Sequence, residues 1–187
     1  MRIFGLVCSP REGGNTEIMV KEALKAAEEM NAETELITIS KLNISPCIAC
    51  DSCIEKGMCV IKDDIHQIFE RMEKADGIII GTPVYFVNVS AQAKAIIDRT
   101  YSYLFNKKLK GKVAAGIVAT RRVGGWQVLS LLTSFFLIHD MKVAGGSIGY
   151  GLAKGDVLQG PAASFSLNAI EDSRRIGKKV VKMCSNS

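Results

Sequence analysis

Four of the six cysteines fall within thirteen positions, 47 to 59. Cys47, Cys50 and Cys53 are separated by two residues each, and Cys59 follows after five more that include Gly57. Thiolates at this spacing turn inward on a tight coil and can meet the corners of one compact object, as in an iron–sulfur cubane. Tetrathiolate zinc sites instead pair two Cys-x2-4-Cys knuckles a dozen or more residues apart, and disulfide frameworks belong to small secreted domains. On spacing alone a cluster leads. Zinc, a redox dithiol and unligated cysteines stay open.

A second candidate lies at residues 9–16, Ser9-Pro10-Arg11-Glu12-Gly13-Gly14-Asn15-Thr16. It joins an apolar run at 2–8 to a stretch with Met19, Ala23, Ala26 and Met30 at helical spacing. A glycine turn that opens a helix leaves backbone N–H groups free, and with the helix dipole these attract an anion. Asn15 or Thr16 would cap the helix, with Ser9 and Thr16 adding hydroxyls. The spacing is neither G-x-G-x-x-G nor G-x4-G-K-[ST], which points away from a dinucleotide or ATP site. A mononucleotide phosphate, or a plain turn, remains.

The elements that must position these groups alternate. Apolar strands are expected at 2–8, 34–39, 76–81, 112–119 and 141–148, the last at a sheet edge. Helices are expected after residue 16, after Asp63-Asp64, after Ser90, up to about Ile138, and from Ala162 to Met183. Residues 150–160 read as a mobile loop. The fold class is therefore α/β, with a five-stranded parallel sheet in the order 2-1-3-4-5 and helices on both faces. In that order winding reverses between strands 1 and 3, and ligands bind beyond their carboxyl ends. Three turns converge there. They bring Ser9, Arg11, Gly14, Asn15 and Thr16, then Pro83, Val84, Tyr85 and Phe86, then Thr120, Gly124 and Gly125. The cysteine insertion leaves the same edge after strand 2, so FMN beside an iron–sulfur cluster is the economical interpretation.

Composition sets the outer bounds. The 187 residues suit one domain over 1–187, with a cluster-binding loop at 46–61. No run is long and apolar enough to span a membrane and no leader is recognisable, so a cytoplasmic protein is expected. The net charge of +5 gathers at Lys107, Lys108, Lys110, Lys112 and at Arg174, Arg175, Lys178, Lys179, Lys182. Without a finger, a basic arm or an aromatic sheet signature, nucleic acid is not expected, whereas an acidic protein partner is. Cys8 reads as core, Cys184 as an idle residue near a frayed end, His66 and His139 as surface or capping residues. Tyr85 and Phe86 face flavin or pack as core. Asp98-Arg99 meets the flavin site or, preferably, a subunit interface.

Ser9-Pro10-Arg11 with Gly14-Asn15-Thr16, the four clustered cysteines, Asp63-Asp64, Thr82 to Phe86, Ser90-Ala91-Gln92 with Lys94, and Asp98-Arg99 occur together. The chain thereby resembles, over nearly its whole length, the iron–sulfur flavoprotein family, a branch of the NADPH-dependent FMN reductase superfamily. The resemblance implies a flavodoxin-like three-layer sandwich. It also implies FMN phosphate on Ser9, Arg11, Asn15 and Thr16, the ring against residues 83–86 and Gly124-Gly125, and a [4Fe-4S] cluster on Cys47, Cys50, Cys53 and Cys59. A homotetramer or homodimer is implied, the cluster of one subunit near the FMN of another.

In that family electrons arrive from ferredoxin and leave through flavin to acceptors such as O2 or H2O2. No side chain is assigned as an acid–base catalyst, because the cofactors carry the chemistry. The alternative is an NAD(P)H-dependent FMN, quinone or azo reductase with a structural cysteine loop. Ranked below it is a redox or iron sensor without turnover.

Overall fold

The computed structural model describes residues 1–158 and 168–186. The uninterrupted apolar run near the N-terminus becomes β1 (Arg2–Val7), buried from its second residue onward. It lies between β2 (Glu33–Thr38) and β3 (Gly77–Pro83), and β4 (Val113–Thr120) and β5 (Lys142–Tyr150) complete the sheet. All pairings are parallel and the order is β2-β1-β3-β4-β5, as expected from the sequence. β3 and β5 each run two residues past their expected ends, which carries Pro83 and Tyr150 to the sheet's carboxyl edge.

Alternating side chains of one strand enter opposite layers. Phe4 and Leu6 join the core beneath α3 (Ile65–Lys74), α4 (Ala91–Arg99) and α6 (Gly125–Ile138). Ile3 and Val7 join the core beneath α1 (Asn15–Glu28) and α7 (Ala169–Ser185). Cys8 extends the first layer and is 1% exposed; burial pushes its thiol up to about 12, as suits an inert core residue. α1 and α7 meet at backbone distance. A Cβ on Gly177 would stand 1.9 Å from the Ala23 carbonyl oxygen, so only glycine fits there.

Helix starts depart from the sequence in instructive ways. Gly14, not Asn15 or Thr16, is the N-cap of α1, because the Asn15 side chain is taken by residues 153 and 155. Ser90 caps α4 as expected, accepting the Ala93 N–H at 3.1 Å. α7 begins at Ala169 under an Asn168 cap; the expected start at 162–167 lies outside the described residues. Two short helices were not foreseen: α2 (Ser52–Lys56) inside the cysteine stretch and α5 (Tyr101–Leu104) after α4.

Candidate functional site

At the carboxyl edge of β1, β3 and β4 the turns enclose a cavity of about 270 Å3. Ser9, Arg11, Gly14, Asn15, Thr16, Pro83, Val84, Tyr85 and Thr120 line it. Phe86, Gly124 and Gly125 do not. Phe86 stands free in solvent at the tip of a turn in which Tyr85 and Asn88 exchange backbone hydrogen bonds. Phe86 (φ 49°) and Val87 (φ 61°) are both left-handed, a conformation glycine or asparagine favours and valine resists. Space beside Gly124 is filled by protein: a Cβ there would meet Val84 Cγ1 at 2.8 Å and Val87 Cα at 3.0 Å.

The first turn is built for an anion. The Ser9 hydroxyl accepts the Arg11 N–H at 3.2 Å, which curls the chain, and Ser9 and Thr16 are buried within the turn. The opening N–H groups of α1 have no intrahelical acceptors. Glu17 would oppose an anion, yet it is neutralised locally. Burial works to raise its carboxyl, but Lys21 at 2.5 Å and the Gly13 N–H at 2.7 Å outweigh that and hold it below the usual range. Arg11 and Arg121 supply positive charge to the walls. This donor set fits a phosphomonoester, and Pro83, Val84 and Tyr85 offer a wall for a flat ring.

Residues 151–153, expected as a mobile loop, complete the cavity. Asn15 Nδ2 donates to the Ala153 carbonyl at 2.9 Å and Asn15 Oδ1 accepts the Gly155 N–H at 2.7 Å, so the described part of this segment is clasped to α1. Lys154 lies against Gly13. Residues 159 and 160 lie outside the described residues.

The cysteine loop forms a second site. Cys47, Cys50, Cys53 and Cys59 line one cavity together with Asp98, Arg99 and Tyr101, and all four are free thiols. Ala49, Asp51 and Gly57 are left-handed and reverse the chain between sulfurs. Cys47 Sγ accepts the Ala49 N–H at 3.4 Å. The Ser52 backbone N–H holds the Cys50 thiol below its usual range, whereas burial, with the other three cysteines, raises Cys53. Among the described residues no three Cys, His, Asp or Glu side chains are grouped to hold a single ion. A four-iron cluster takes each thiolate at a different corner, and four free cysteines lining one small cavity supply the donor types such a cluster needs.

Arg99 is not at a surface. Its side chain is wholly enclosed and paired with Asp63, itself 3% exposed, so the preference for a subunit interface is corrected. Asp63 and Asp64 do more than start α3. Asp63 Oδ2 accepts the Ser45 N–H at 2.8 Å and Asp64 Oδ2 the Asn43 N–H at 2.7 Å, stapling the base of the cysteine loop. Asp98 pairs at the exposed surface with Lys94 at 2.6 Å.

Residues 1–153 match the family model described as NADPH-dependent FMN reductase. An iron–sulfur flavoprotein of Methanocaldococcus jannaschii is 39% identical over 193 aligned positions, covering 98% of this chain and 97% of the relative. The chain belongs to the iron–sulfur flavoprotein family. A second member, from Methanosarcina thermophila, is 40% identical, covering 81% of each chain. The fold is shared more widely: the NAD(P)H:quinone oxidoreductase of Methanothermobacter marburgensis superposes with a TM-score of 0.72 at 15% identity, covering 95% of this chain and 94% of its own.

As a member of the iron–sulfur flavoprotein family the chain is a flavin-dependent oxidoreductase. Among its described residues no helix is long and apolar enough to cross a membrane. Sequence reasoning missed Arg121, Leu152 and Ala153 at the first cavity and the inward course of Arg99 at the second. A polar Gly-containing stretch after a strand reads as loop whether or not it folds back. His139 is the C-cap of α6, as the capping reading expected, but it is buried at 6% exposure, with Nε2 2.9 Å from Thr100 Oγ1.

Proposed function

We propose that this protein holds FMN at the carboxyl edge of β1, β3 and β4, and a [4Fe-4S] cluster on Cys47, Cys50, Cys53 and Cys59. It accepts electrons singly from an acidic ferredoxin-type protein and reduces a small-molecule acceptor such as O2 or H2O2. The single observation that carries this is that four free thiols line one cavity, in a chain with another cavity that suits a phosphate and a flat ring. When bound, a cluster exchanges one electron and a flavin one or two, so the pair joins single-electron delivery to two-electron reduction.

The chain's own residues bind and orient. Ser9, Arg11, Gly14, Asn15 and Thr16 receive the phosphate. Pro83, Val84, Tyr85 and Thr120 flank the ring. α4 connects the two sites, since Ser90 at its start bonds the Cys8 carbonyl and Arg99 at its end bonds the cysteine loop. Nine helical residues span roughly 14 Å at 1.5 Å each. In a homotetramer or homodimer, contact between the cluster of one subunit and the FMN of its neighbour gives a second route. A cytoplasmic setting, where thiols stay reduced, suits the loop.

Anaerobic stopped-flow spectroscopy tests the proposal. Reduced ferredoxin should bleach both the cluster and the flavin absorbance within seconds, while NADPH acts far more slowly. The match of residues 1–153 to NADPH-dependent FMN reductase supports a second reading, direct NAD(P)H-linked reduction of flavin, quinone or azo substrates with a structural cysteine loop. Rapid flavin reduction by NADPH in protein that contains no sulfide would decide for it.

A further inference from the structure

Arg99 closes α4, and each guanidinium nitrogen has a partner in the segment that carries the cysteines. Nη1 donates to Asp63 Oδ2 at 2.5 Å and to the Ser45 carbonyl at 3.3 Å, and Nη2 to the Ile61 carbonyl at 3.0 Å. Nε donates to Cys59 Sγ at 3.3 Å. Ser45 precedes the first of the four cysteines and Ile61 follows the last. One side chain therefore fastens both ends of the loop and touches one of its sulfurs.

A buried ion pair is by itself weak evidence for stability, since apolar residues of equal volume often serve as well. The N–H···S bond gives this one a chemical consequence. Reduction of an iron–sulfur cluster places more negative charge on its sulfurs, and a hydrogen bond from a fixed cation favours that form. Guanidinium keeps its proton, so reduction moves one electron and no proton at this site.

We propose that Arg99 is a positioning residue that raises the reduction potential of a cluster bound by the cysteine loop, through its Nε–H bond to Cys59. This rests on the cluster assigned under the proposed function. Asp63 acts in the opposite sense, because its carboxylate offsets the guanidinium charge. The two residues form an adjustable pair beside Cys59.

The test begins with iron and acid-labile sulfide in anaerobically purified wild type, Arg99→Gln and Asp63→Asn. Loaded samples are then titrated with dithionite, with the cluster followed by EPR and the flavin by its visible absorbance. At the wild-type midpoint the oxidised-to-reduced ratio of the cluster should rise about tenfold in Arg99→Gln, equal to about 59 mV for a one-electron couple. Asp63→Asn should move it the other way. The flavin midpoint should hold in both, which a general loosening of the fold would not give.

Loaded Arg99→Gln that titrates at the wild-type cluster potential overturns the proposal. If that variant loses its cluster, pulsed EPR of reduced wild type grown with 15N-arginine decides: a 15N coupling supports the bond and its absence overturns it. Wild type without labile sulfide overturns the cluster assignment and this proposal together, and does so before any titration.

Discussion

The Ser90 hydroxyl donates to the Cys8 carbonyl at 2.6 Å, tying the end of β1 to the start of α4. The same oxygen accepts the Ala93 N–H, and the Ser90 N–H donates to Thr82 Oγ1 at 3.2 Å, so the end of β3 joins the knot. Beyond the ends of β1 and β3 a parallel sheet of this winding exposes its crevice. Ser90→Ala removes a helix cap and leaves the buried Cys8 carbonyl short of a donor. It should cost about 2 kcal/mol, read from urea unfolding.

Gly177 marks the tightest helix contact. A methyl group there would overlap the Ala23 carbonyl, forcing α7 away from α1. Gly177→Ala should destabilise by about 3 kcal/mol, the upper part of the usual overpacking range. A denaturation midpoint equal to wild type would show that the helices do not pack this closely.

His139 should make stability fall on mild acidification. Its ring stacks edge-on against Phe135 at 4.9 Å, and burial lowers its pKa below the ordinary 6.5. The unfolded chain then binds the proton more readily than the folded one, so the contribution is full above 6.5 and is lost as pH falls below it toward the native value. Urea midpoints at about pH 7.5 and about pH 5.5 should separate in wild type and converge in His139→Gln. Asp63 and Glu17, whose native pKa values are lowered, lose their contributions only in stronger acid.

Arg11→Ala should separate phosphate recognition from ring recognition. FMN binding should weaken by roughly 10- to 100-fold, the value of one charge-assisted hydrogen bond, while riboflavin binding barely changes. Quenching of flavin fluorescence by flavin-free protein measures both. Equal losses for the two ligands would place the phosphate elsewhere.

Much of this was legible in the sequence because it rests on local pattern. Unbroken apolar runs give strands covered on both faces, a glycine turn before helical spacing gives the first cavity, and three cysteines at equal steps give the loop. What escaped depends on distant partners. Arg99 beside Asp98 reads as part of a subunit interface, yet its carboxylate partner lies 36 residues away on the far side of the loop. Asn15 likewise finds Ala153 across 138 residues, which is why a clasped segment reads as a free one.

Some members of the basic runs are paired within the fold. Lys107 pairs with Asp140 at 3.1 Å, Lys108 with Glu73 at 2.8 Å, and Arg174 with Glu22 and Glu29. Such exposed pairs add little stability. They do reduce the net positive field that a linear count of lysines implies.

Protein purified without oxygen and assayed for iron, acid-labile sulfide and FMN addresses the pairing of cofactors most directly. About four irons, about four sulfides and about one FMN per chain are expected, with the iron and sulfide lost together when Cys47, Cys50, Cys53 and Cys59 are replaced by serine. Flavin accompanied by stoichiometric zinc, or by no metal and no sulfide, would contradict a cluster on this loop.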